Sequence, residues 1–374
     1  MARQPILFCS HVVELGGAEM VLLDLLGALD RDRWAPHLAV PHAGPLTDAA
    51  ATLGVPWHRL PIGGRTAFGK ACSVPLAARG LRRLARSTGA RVVVATSMIA
   101  GYAAVLAQHR DLACVWHLHI VTKSHVARLF VRRARAVVVP SAAGARAVGR
   151  PDANVIVNGI GDRFFAPRPD GLRHRLGVPA DAPLFGIVGR LDPHKGHDVL
   201  LAAFAGLAGE PRAHLAIAGG ELFADGLARV GGYAARLARR IDELGLRSRV
   251  HALGHVADTA PLFAELDAVV VPSTAPESAP RTIAEAHAAG CPVLASAIGG
   301  VPERVTDGES GLLVPPGDVA ALGHALHRLA TEPVLRERLR AGGRVRAADC
   351  RLPVFAARCA EVFARAAGGS TPPA

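Results

Sequence analysis

The chain has 374 residues, of which 50% are hydrophobic and only 4% aromatic, and its formal net charge is +12. This length exceeds one typical domain and suits two α/β domains, each with a sizeable core. Because aromatic side chains are scarce, the stacking platforms that bind single-stranded nucleic acid are poorly supplied, and the charge alone does not indicate a nucleic-acid partner.

The six cysteines form no CxxC pair and no metal-ligand spacing with histidine. A reduced, cytoplasmic protein is therefore expected. The N-terminus lacks the pattern of a signal peptide. The longest apolar run, residues 92–107, is shorter than the ~20 residues that span a bilayer.

Short β-branched runs alternate with segments of helical periodicity along the chain. In the first half the predicted strands are 6–10, 37–41, 92–96, 114–118, 136–140 and 155–158. In the second half they are 184–189, 214–218, 250–253, 268–272, 292–296 and 312–314. Apolar strands alternating with helices are typical of parallel sheets covered on both faces, so the pattern predicts two doubly wound, Rossmann-like α/β domains.

A Pro-rich segment, 166–171, separates the two series and predicts the linker. We therefore expect an N-terminal domain at 1–165 and a C-terminal domain at 166–350. The last helical segment, 351–367, has no strand to return to and is expected to pack back on the N-terminal domain. Residues 368–374 are predicted to be a disordered tail.

The net charge is unevenly distributed. Residues 1–165 contain 20 Lys and Arg but 9 Asp and Glu, whereas residues 166–374 are nearly balanced. One interpretation is a compositional excess of arginine, since the chain has only three lysines. The other is that the first domain meets an anionic partner, such as a phospholipid surface or a lipid-linked acceptor.

Three turns follow predicted strands, at the sheet edge where open α/β sheets bind ligands. The first contains Gly16 and Gly17, which let a ligand approach the backbone at a helix start; a plain loop of small residues is the alternative. The pattern is not GxGxxG, so a dinucleotide cofactor is not expected. The second turn places Arg190 and Lys195 on one short loop, and a planar guanidinium with a point charge suits a diphosphate.

The third turn leads into a segment with two carboxylates, Glu277 and Glu285, eight residues apart. Along a helix these would lie roughly 12 Å apart, farther than the about 5–9.5 Å of a glycosidase pair. Two groups that grip hydroxyls at opposite ends of a long ligand fit better than an acid/base pair. Surface charge is the structural alternative.

Asp30, Arg31 and Asp32 form a DxD triplet, a spacing that holds a metal-bound nucleotide in other sugar transferases. Here the triplet ends a helix and precedes a strand, on the side opposite the ligand-binding edge. A solvated helix end is the better interpretation, and we expect no catalytic metal.

These turns together resemble the retaining glycosyltransferases of family 4, group 1, which have the GT-B fold of two Rossmann-like domains facing each other across a cleft. The resemblance runs from Ile6 to about Leu329 and depends on the order and spacing of several short motifs. The matching segments are 16–19, 157–160, 189–196, 218–220, 272–273, 277–285, 289–293, 299–303 and 311–314.

By this resemblance Arg190 and Lys195 bind the donor diphosphate and stabilise the departing nucleotide, because prearranged cations lower the barrier where negative charge builds. Glu285 would hold the ribose hydroxyls and Glu277 those of the donor sugar. His119 matches the family histidine that faces the donor sugar, with His117 as the competing assignment. The catalytic set is therefore His119, Arg190, Lys195 and Glu277, and the donor-binding set is Gly16, Gly17, Gly189, Arg190, Lys195, Gly219, Glu277, Ser278, Ala279, Pro280, Arg281 and Glu285.

The implied activity is metal-independent, retaining transfer of a sugar from a nucleotide-diphosphate sugar, with UDP or GDP favoured, to a hydroxyl acceptor in cell-envelope polysaccharide, glycolipid or related synthesis. A nucleotide-sugar-binding protein and an epimerase on the same fold are the alternatives. The common Phe-Gly after the first glutamate is Ala279-Pro280 here, and Gly161 stands where an aspartate is usual. Both departures weaken any assignment of the donor sugar.

Two basic stretches, 79–86 and 128–135, lie in the first domain. At helical spacing each can present apolar side chains beside cations, as a helix lying on an anionic membrane does. An ordinary amphipathic helix packed into the domain is the alternative. The prediction is a lipid-linked or anionic acceptor and a location that is cytoplasmic, peripheral to the inner face of the membrane.

Overall fold

The computed structural model describes residues 3–64, 67–119, 124–207, 212–221 and 232–368. The chain forms two compact units. Unit 1 comprises Met1–Ile160 with Asp349–Ala374, and unit 2 comprises Gly161–Ala348. Most of the predicted tail, 369–374, lies outside the described residues.

Unit 1 is built on a parallel sheet. Its strands are β1 Gln4–Cys9, β2 Trp34–Val40, β3 Trp57–Arg59, β4 Val92–Ala95, β5 Ala113–His117, β6 Ala136–Val139 and β7 Asn154–Val155. Its first six helices are α1 Gly17–Ala28, α2 Pro45–Thr52, α3 Ala67–Thr88, α4 Met98–Ala107, α5 His125–Arg133 and α6 Ala142–Ala147. The strand order is β3-β2-β1-β4-β5-β6-β7, so the sheet reverses its winding between β1 and β4.

Unit 2 repeats this arrangement. Its strands are β8 Leu184–Val188, β9 His214–Ala218, β10 Val250–Gly254, β11 Ala268–Val271, β12 Val293–Ser296 and β13 Leu312–Val314. Its helices are α7 Leu172–Arg175, α8 His197–Ala205, α9 Tyr233–Glu243, α10 Ala260–Glu265, α11 Arg281–Ala289, α12 Val301–Arg304, α13 Val319–Thr331 and α14 Pro333–Ala347. The parallel order β10-β9-β8-β11-β12-β13 puts β8 beside β11 at the reversal point.

Alternation along the strands builds two cores in unit 1. In β1, Ile6 and Phe8 enter one core with α1 and α2, whereas Leu7 and Cys9 enter the other with α3, α4 and α5. Both faces of the sheet are therefore covered, as a parallel sheet requires. Within the described residues, no helix is both long and apolar enough to cross a bilayer.

The last helix, α15 Leu352–Ala366, belongs to unit 1. Its buried Phe363 packs edge-on against Phe8 and Trp34, with ring centroids 6.0 Å apart in each pair. The backbone of Ile160 pairs with that of Arg351 where the chain enters this helix. The unit boundaries consequently fall at 160/161 and 348/349, a few residues before the predicted 165/166 and 350/351.

All twelve predicted strands are present, with ends that differ by a few residues. The sequence did not predict β3, because Trp57, His58 and Arg59 show no run of apolar residues. This three-residue edge strand is held by its pairing with β2.

Glycines allow the loops at the carboxyl edge of the unit 2 sheet to touch through their backbones. Gly196 has a φ of +77°, and a Cβ there would lie 1.9 Å from the carbonyl oxygen of Pro272. Gly219 has a φ of +156°, and a Cβ there would lie 1.7 Å from the carbonyl oxygen of Gly189. No side chain fits at either crossing, so the loops after β8, β9 and β11 are fixed against one another.

Truncating Phe363 to alanine is expected to lower the free energy of unfolding of unit 1 by about 3–5 kcal/mol, because it leaves a cavity between Phe8 and Trp34. Val354→Ala on the exposed side of the same helix is the control and should change it by less than about 0.5 kcal/mol. All three tryptophans lie in unit 1, so tryptophan fluorescence during urea denaturation reports on this unit. Equal effects of the two variants would show that α15 is not part of the core.

Gly196→Ala is expected to destabilise unit 2 by at least about 2 kcal/mol more than Gly245→Ala. Gly245 has a similar φ of +67°, but a Cβ there would meet nothing within 4 Å, so its substitution introduces the backbone strain without the clash. Urea denaturation followed by far-UV circular dichroism measures both variants. A difference near zero would mean that the Gly196–Pro272 crossing relaxes freely.

Candidate functional site

The carboxyl ends of β8 and β11 meet at the reversal point of unit 2, where α8 and α11 begin. The amide of Thr274, after β11, donates to the carbonyl of His194, after β8, at 2.9 Å. The Thr282 hydroxyl, in the first turn of α11, donates to the carbonyl of Val188 at 3.2 Å. These bonds bring the second and third predicted turns together at one edge.

Lys195 and Glu277 form the central contact of this edge. The Lys195 ammonium lies 2.6 Å from Oε2 of Glu277, and the Ser273 hydroxyl donates to Oε1 of the same carboxylate. The side chains of Lys195 and Glu277 are 28% and 22% exposed, whereas Ser273 is fully buried. The carboxylate is therefore held from one side by a buried hydroxyl and from the other by a cation that solvent can reach.

Arg190 lies on the same loop and is more exposed. Its guanidinium is 3.6 Å from the carboxylate of Asp192, which also accepts a 2.9 Å bond from the His194 amide. The loop then forms a short 3₁₀ turn and enters α8 at His197. Burial lowers the pKa of His197 to about 4, so this ring is neutral at neutral pH and adds no charge beside Lys195.

Helix α11 carries the second carboxylate. The Arg281 guanidinium donates to Glu285 at 2.8 Å, one helical turn away, and the two side chains are only 12% and 11% exposed. A cation at a helix N-terminus opposes the helix dipole, so the nearby carboxylate offsets an otherwise unfavourable placement. The helix begins at Arg281, which makes the roughly 12 Å helical estimate for Glu277 and Glu285 inapplicable, because Glu277 precedes the helix.

The segment before α11 is fixed by its backbone. The Gly300 amide donates to the carbonyl of Glu277 at 2.8 Å, and a Cβ on Gly299 would lie 2.2 Å from that oxygen. Ser278 is buried, and Pro280 stands at the helix start. The direction of the Glu277 side chain thus depends on a second loop, the one after β12.

In unit 1, Gly16 and Gly17 stand at the start of α1 as predicted. The amide of Gly16 donates to the Glu19 carboxylate at 3.2 Å, so this amide is engaged within its own helix turn. A Cβ on Gly17 would meet nothing within 4 Å. The space beside Gly17 is therefore open. Neither Gly16 nor Gly17 has a positive φ, so the backbone conformation does not by itself require glycine at these positions.

His117 and His119 differ clearly in their surroundings. Their ring centroids are 4.2 Å apart, but His117 is 1% exposed and its ring lies 6.1 Å from that of Phe355 in α15. Burial and then the neighbouring His119 keep the pKa of His117 well below its usual range. His119 lies beyond the end of β5 and is only partly buried as a residue, although both of its ring nitrogens are buried.

The side chains of the DxD triplet make contacts within their own turn and with the ends of the neighbouring helices. Asp30 accepts bonds from the amides of Asp32 and Arg33, at 2.9 and 3.3 Å. The Arg31 guanidinium donates to the carbonyls of Leu26 and Leu53, at the ends of α1 and α2. These contacts agree with the interpretation of the triplet as a helix end.

Two polar contacts were not singled out from the sequence. Ser273 directly follows β11, and its place after a strand was the available signal, but its contact with Glu277 depends on the loop geometry. In unit 1, His11 Nδ1 lies 2.7 Å from Ser97 Oγ, across the reversal point between β1 and β4. Both residues directly follow a predicted strand, at the edge where ligands bind.

Comparisons of the two halves of the chain with known proteins indicate the same family. Residues 15–162 match the model of Glycosyltransferase Family 4, and residues 170–346 match that of Glycosyl transferases group 1. A D-inositol 3-phosphate glycosyltransferase of Thermomonospora curvata is 40% identical over 204 residues, which are 50% of this chain and 46% of that protein. Its counterpart in Mycobacterium bovis is 39% identical over 53% of this chain and 39% of that protein. The match thus spans less than half the length of these relatives.

Solved structures match over nearly the whole chain. Anabaena HepE, crystallised with UDP-glucose, has a TM-score of 0.82 and 25% identity, over 97% of this chain and 100% of that one. Sucrose-phosphate synthase of Thermosynechococcus elongatus has the same TM-score with 24% identity, over 97% and 99%. The parallel sheets of the two units share the order of their first six strands, and unit 1 adds a seventh, β7, at one edge. The chain therefore belongs to the family 4, group 1 glycosyltransferases and has their GT-B fold.

Proposed function

We propose that the protein is a retaining glycosyltransferase that moves a sugar from a nucleotide-diphosphate sugar, UDP or GDP being the favoured nucleotide, to a hydroxyl acceptor. The observation that carries this proposal is the contact of Lys195 with Glu277, beside Arg190, at the reversal point of unit 2. The UDP-glucose bound to Anabaena HepE supports a nucleotide-sugar donor.

The cations supply what the leaving group needs. As the glycosidic bond breaks, negative charge builds on the terminal phosphate oxygen of the nucleotide. Arg190 can offer a planar fork to two phosphate oxygens, and Lys195 a point charge. The N-terminus of α8 adds the positive end of a helix dipole at the same loop. In this proposal these groups replace a metal ion, and the reaction is metal-independent.

The two carboxylates would hold the two ends of the donor. Glu277 binds hydroxyls of the donor sugar and Glu285 those of the ribose. Each is already oriented by an ion pair, Glu277 by Lys195 and Glu285 by Arg281. A partly exposed ion pair is worth about 0–1 kcal/mol, so a donor that brings phosphate to Lys195 and hydroxyls to Glu277 can replace the first pair at small cost.

In this proposal unit 1 binds the acceptor. The net positive charge of residues 1–165 supports an anionic or lipid-linked acceptor, in cell-envelope polysaccharide or glycolipid synthesis at the inner face of the membrane. Front-side attack with retention is the stereochemistry proposed. The roles of Gly16, Gly17 and His119 remain predictions from the family resemblance.

Thermal-shift measurements with UDP-, GDP-, ADP- and dTDP-sugars are expected to identify one nucleotide that raises the melting temperature, with or without EDTA. A ligand at about 100 times its Kd stabilises the native state by about 2.7 kcal/mol. Lys195→Ala should abolish the shift, while Arg247→Ala, which removes an exposed charge elsewhere on unit 2, should keep it. No shift with any donor would contradict the proposal.

Two comparisons between ligands distinguish the proposed roles of Glu277 and Glu285. In the wild type, UDP should stabilise more than 2′-deoxy-UDP, and the matching UDP-sugar more than UDP, for a UDP-specific enzyme. Glu285→Gln is expected to remove the first difference and Glu277→Gln the second, because each loses one hydroxyl contact. Comparing ligands within one variant cancels the variant's own stability. If either glutamine variant removed both differences, the division of roles would be wrong.

Turnover decides between the proposal and its alternatives. A glycosyltransferase releases nucleoside diphosphate in proportion to added acceptor, and proton NMR of the product should show the anomeric configuration of the donor. Conversion of the donor sugar without acceptor would indicate an epimerase. Donor binding without turnover across hydroxyl acceptors, including lipid-linked ones, would indicate a binding protein.

A further inference from the structure

Helices α3, α4 and α5 lie side by side over one face of the unit 1 sheet. The Arg82 guanidinium of α3 donates to the carbonyls of Leu106 and Ala107 at the end of α4, at 2.6 and 3.0 Å. On the other side of α4, the rings of Tyr102 and Phe130 in α5 are 4.9 Å apart. The outward side chains of the three helices therefore form one continuous surface.

Two stripes of this surface combine aliphatic and cationic side chains. The exposed positions of α3 include Leu76, Arg79 and Arg83, and those of α5 include Val126, Leu129 and Arg133, each set at i, i+3 and i+7. We call these six residues the basic helical face. Leu76, Val126 and Leu129 are 56%, 58% and 56% exposed, and Leu106 of the intervening α4 is 41% exposed.

The charge of this face is uncompensated. Helices α3, α4 and α5 contain no aspartate or glutamate. In the described ranges, Arg79, Arg83 and Arg133 form no ion pair. The loop after α4 contains Asp111, and the loop after α6 contains Asp152, which pairs with Arg150 at 2.9 Å. On the opposite face of the sheet, α1, α2 and α15 all carry carboxylates.

We propose that the basic helical face docks unit 1 on the surface of an anionic lipid bilayer. Arginines attract the phosphates of acidic headgroups, while aliphatic side chains between them enter the boundary with the acyl chains. A nucleic acid would match the charge but leave three exposed aliphatic side chains without a partner. The contact is peripheral and does not depend on the proposed sugar transfer, since it needs neither donor nor acceptor.

Sedimentation with vesicles tests this docking. The wild-type protein should pellet at low salt with vesicles of phosphatidylcholine and phosphatidylglycerol, stay in the supernatant with phosphatidylcholine alone, and be released by high salt. Each arginine near an anionic surface contributes about fivefold to the partition coefficient. The triple variant Arg79→Gln, Arg83→Gln, Arg133→Gln is therefore expected to lower partitioning at least tenfold.

A charge-matched control separates this face from net charge. Arg239, Arg338 and Arg358 are exposed on α9, α14 and α15, so replacing all three by glutamine removes the same charge elsewhere. This control should keep partitioning within about twofold. Equal losses in the two triple variants, or an unchanged partition in the first, would overturn the proposal, as would a wild type that stays in the supernatant at low salt.

The aliphatic side chains distinguish a bilayer from a soluble polyanion. Val126→Ser with Leu129→Ser should weaken binding to the anionic vesicles several-fold but leave retention on immobilised heparin unchanged. All substituted side chains are exposed, and unaltered tryptophan fluorescence and melting temperature confirm that each variant is folded. If the double serine variant bound vesicles as the wild type does, the partner would be an acidic macromolecule and the membrane assignment would be wrong.

Discussion

Three glycines in the loops at the carboxyl edge of the unit 2 sheet each face a backbone carbonyl so closely that no Cβ could be accommodated. They are Gly196, Gly219 and Gly299, where a Cβ would lie 1.9, 1.7 and 2.2 Å from the facing oxygen. All lie in loops at the carboxyl edge of the sheet, after β8, β9 and β12. Because these crossings fix the backbone before any ligand arrives, the side chains on the loops have few arrangements open to them. Preorganisation of this kind reduces the ordering cost of binding.

The charges at this edge follow from that fixed backbone. Lys195 directly precedes Gly196, and Glu277 supplies the carbonyl that Gly299 approaches. The ion pair between them is thus anchored at both ends by a glycine crossing, and the buried Ser273 hydroxyl adds a third restraint on the carboxylate. The two side chains are held together in this way and stay accessible to solvent on one side. In the proposed function, this contact is exchanged for the phosphate and hydroxyl groups of a nucleotide sugar.

The sequence predicted the fold well because its signals are local. Apolar runs gave twelve strands, and the alternation with helices gave two Rossmann-like units. It missed β3, whose three residues carry no apolar pattern. It also placed the linker at 166–171, a few residues after the boundary between the units at 160/161. Ile160 pairs with Arg351, and a contact between segments so far apart in the chain leaves no local signal in the sequence. The residue types at the site were predictable, but their partners were not. Whether Glu285 pairs with Arg281, or His117 is buried beneath Phe355, depends on packing that spacing alone does not determine.

An arginine-rich composition does not by itself account for the charge of unit 1. A bias toward arginine raises the number of cations everywhere, as α14 shows with five arginines, yet there Glu337 pairs with Arg340 and Asp267 lies near Arg336. Such a bias gives no reason for carboxylates to be missing. At the average frequency of the chain, about three would be expected in α3, α4 and α5, and there is none. The absence of acidic residues, more than the presence of arginine, is therefore the feature that distinguishes this surface from α1, α2 and α15 on the opposite face of the same sheet.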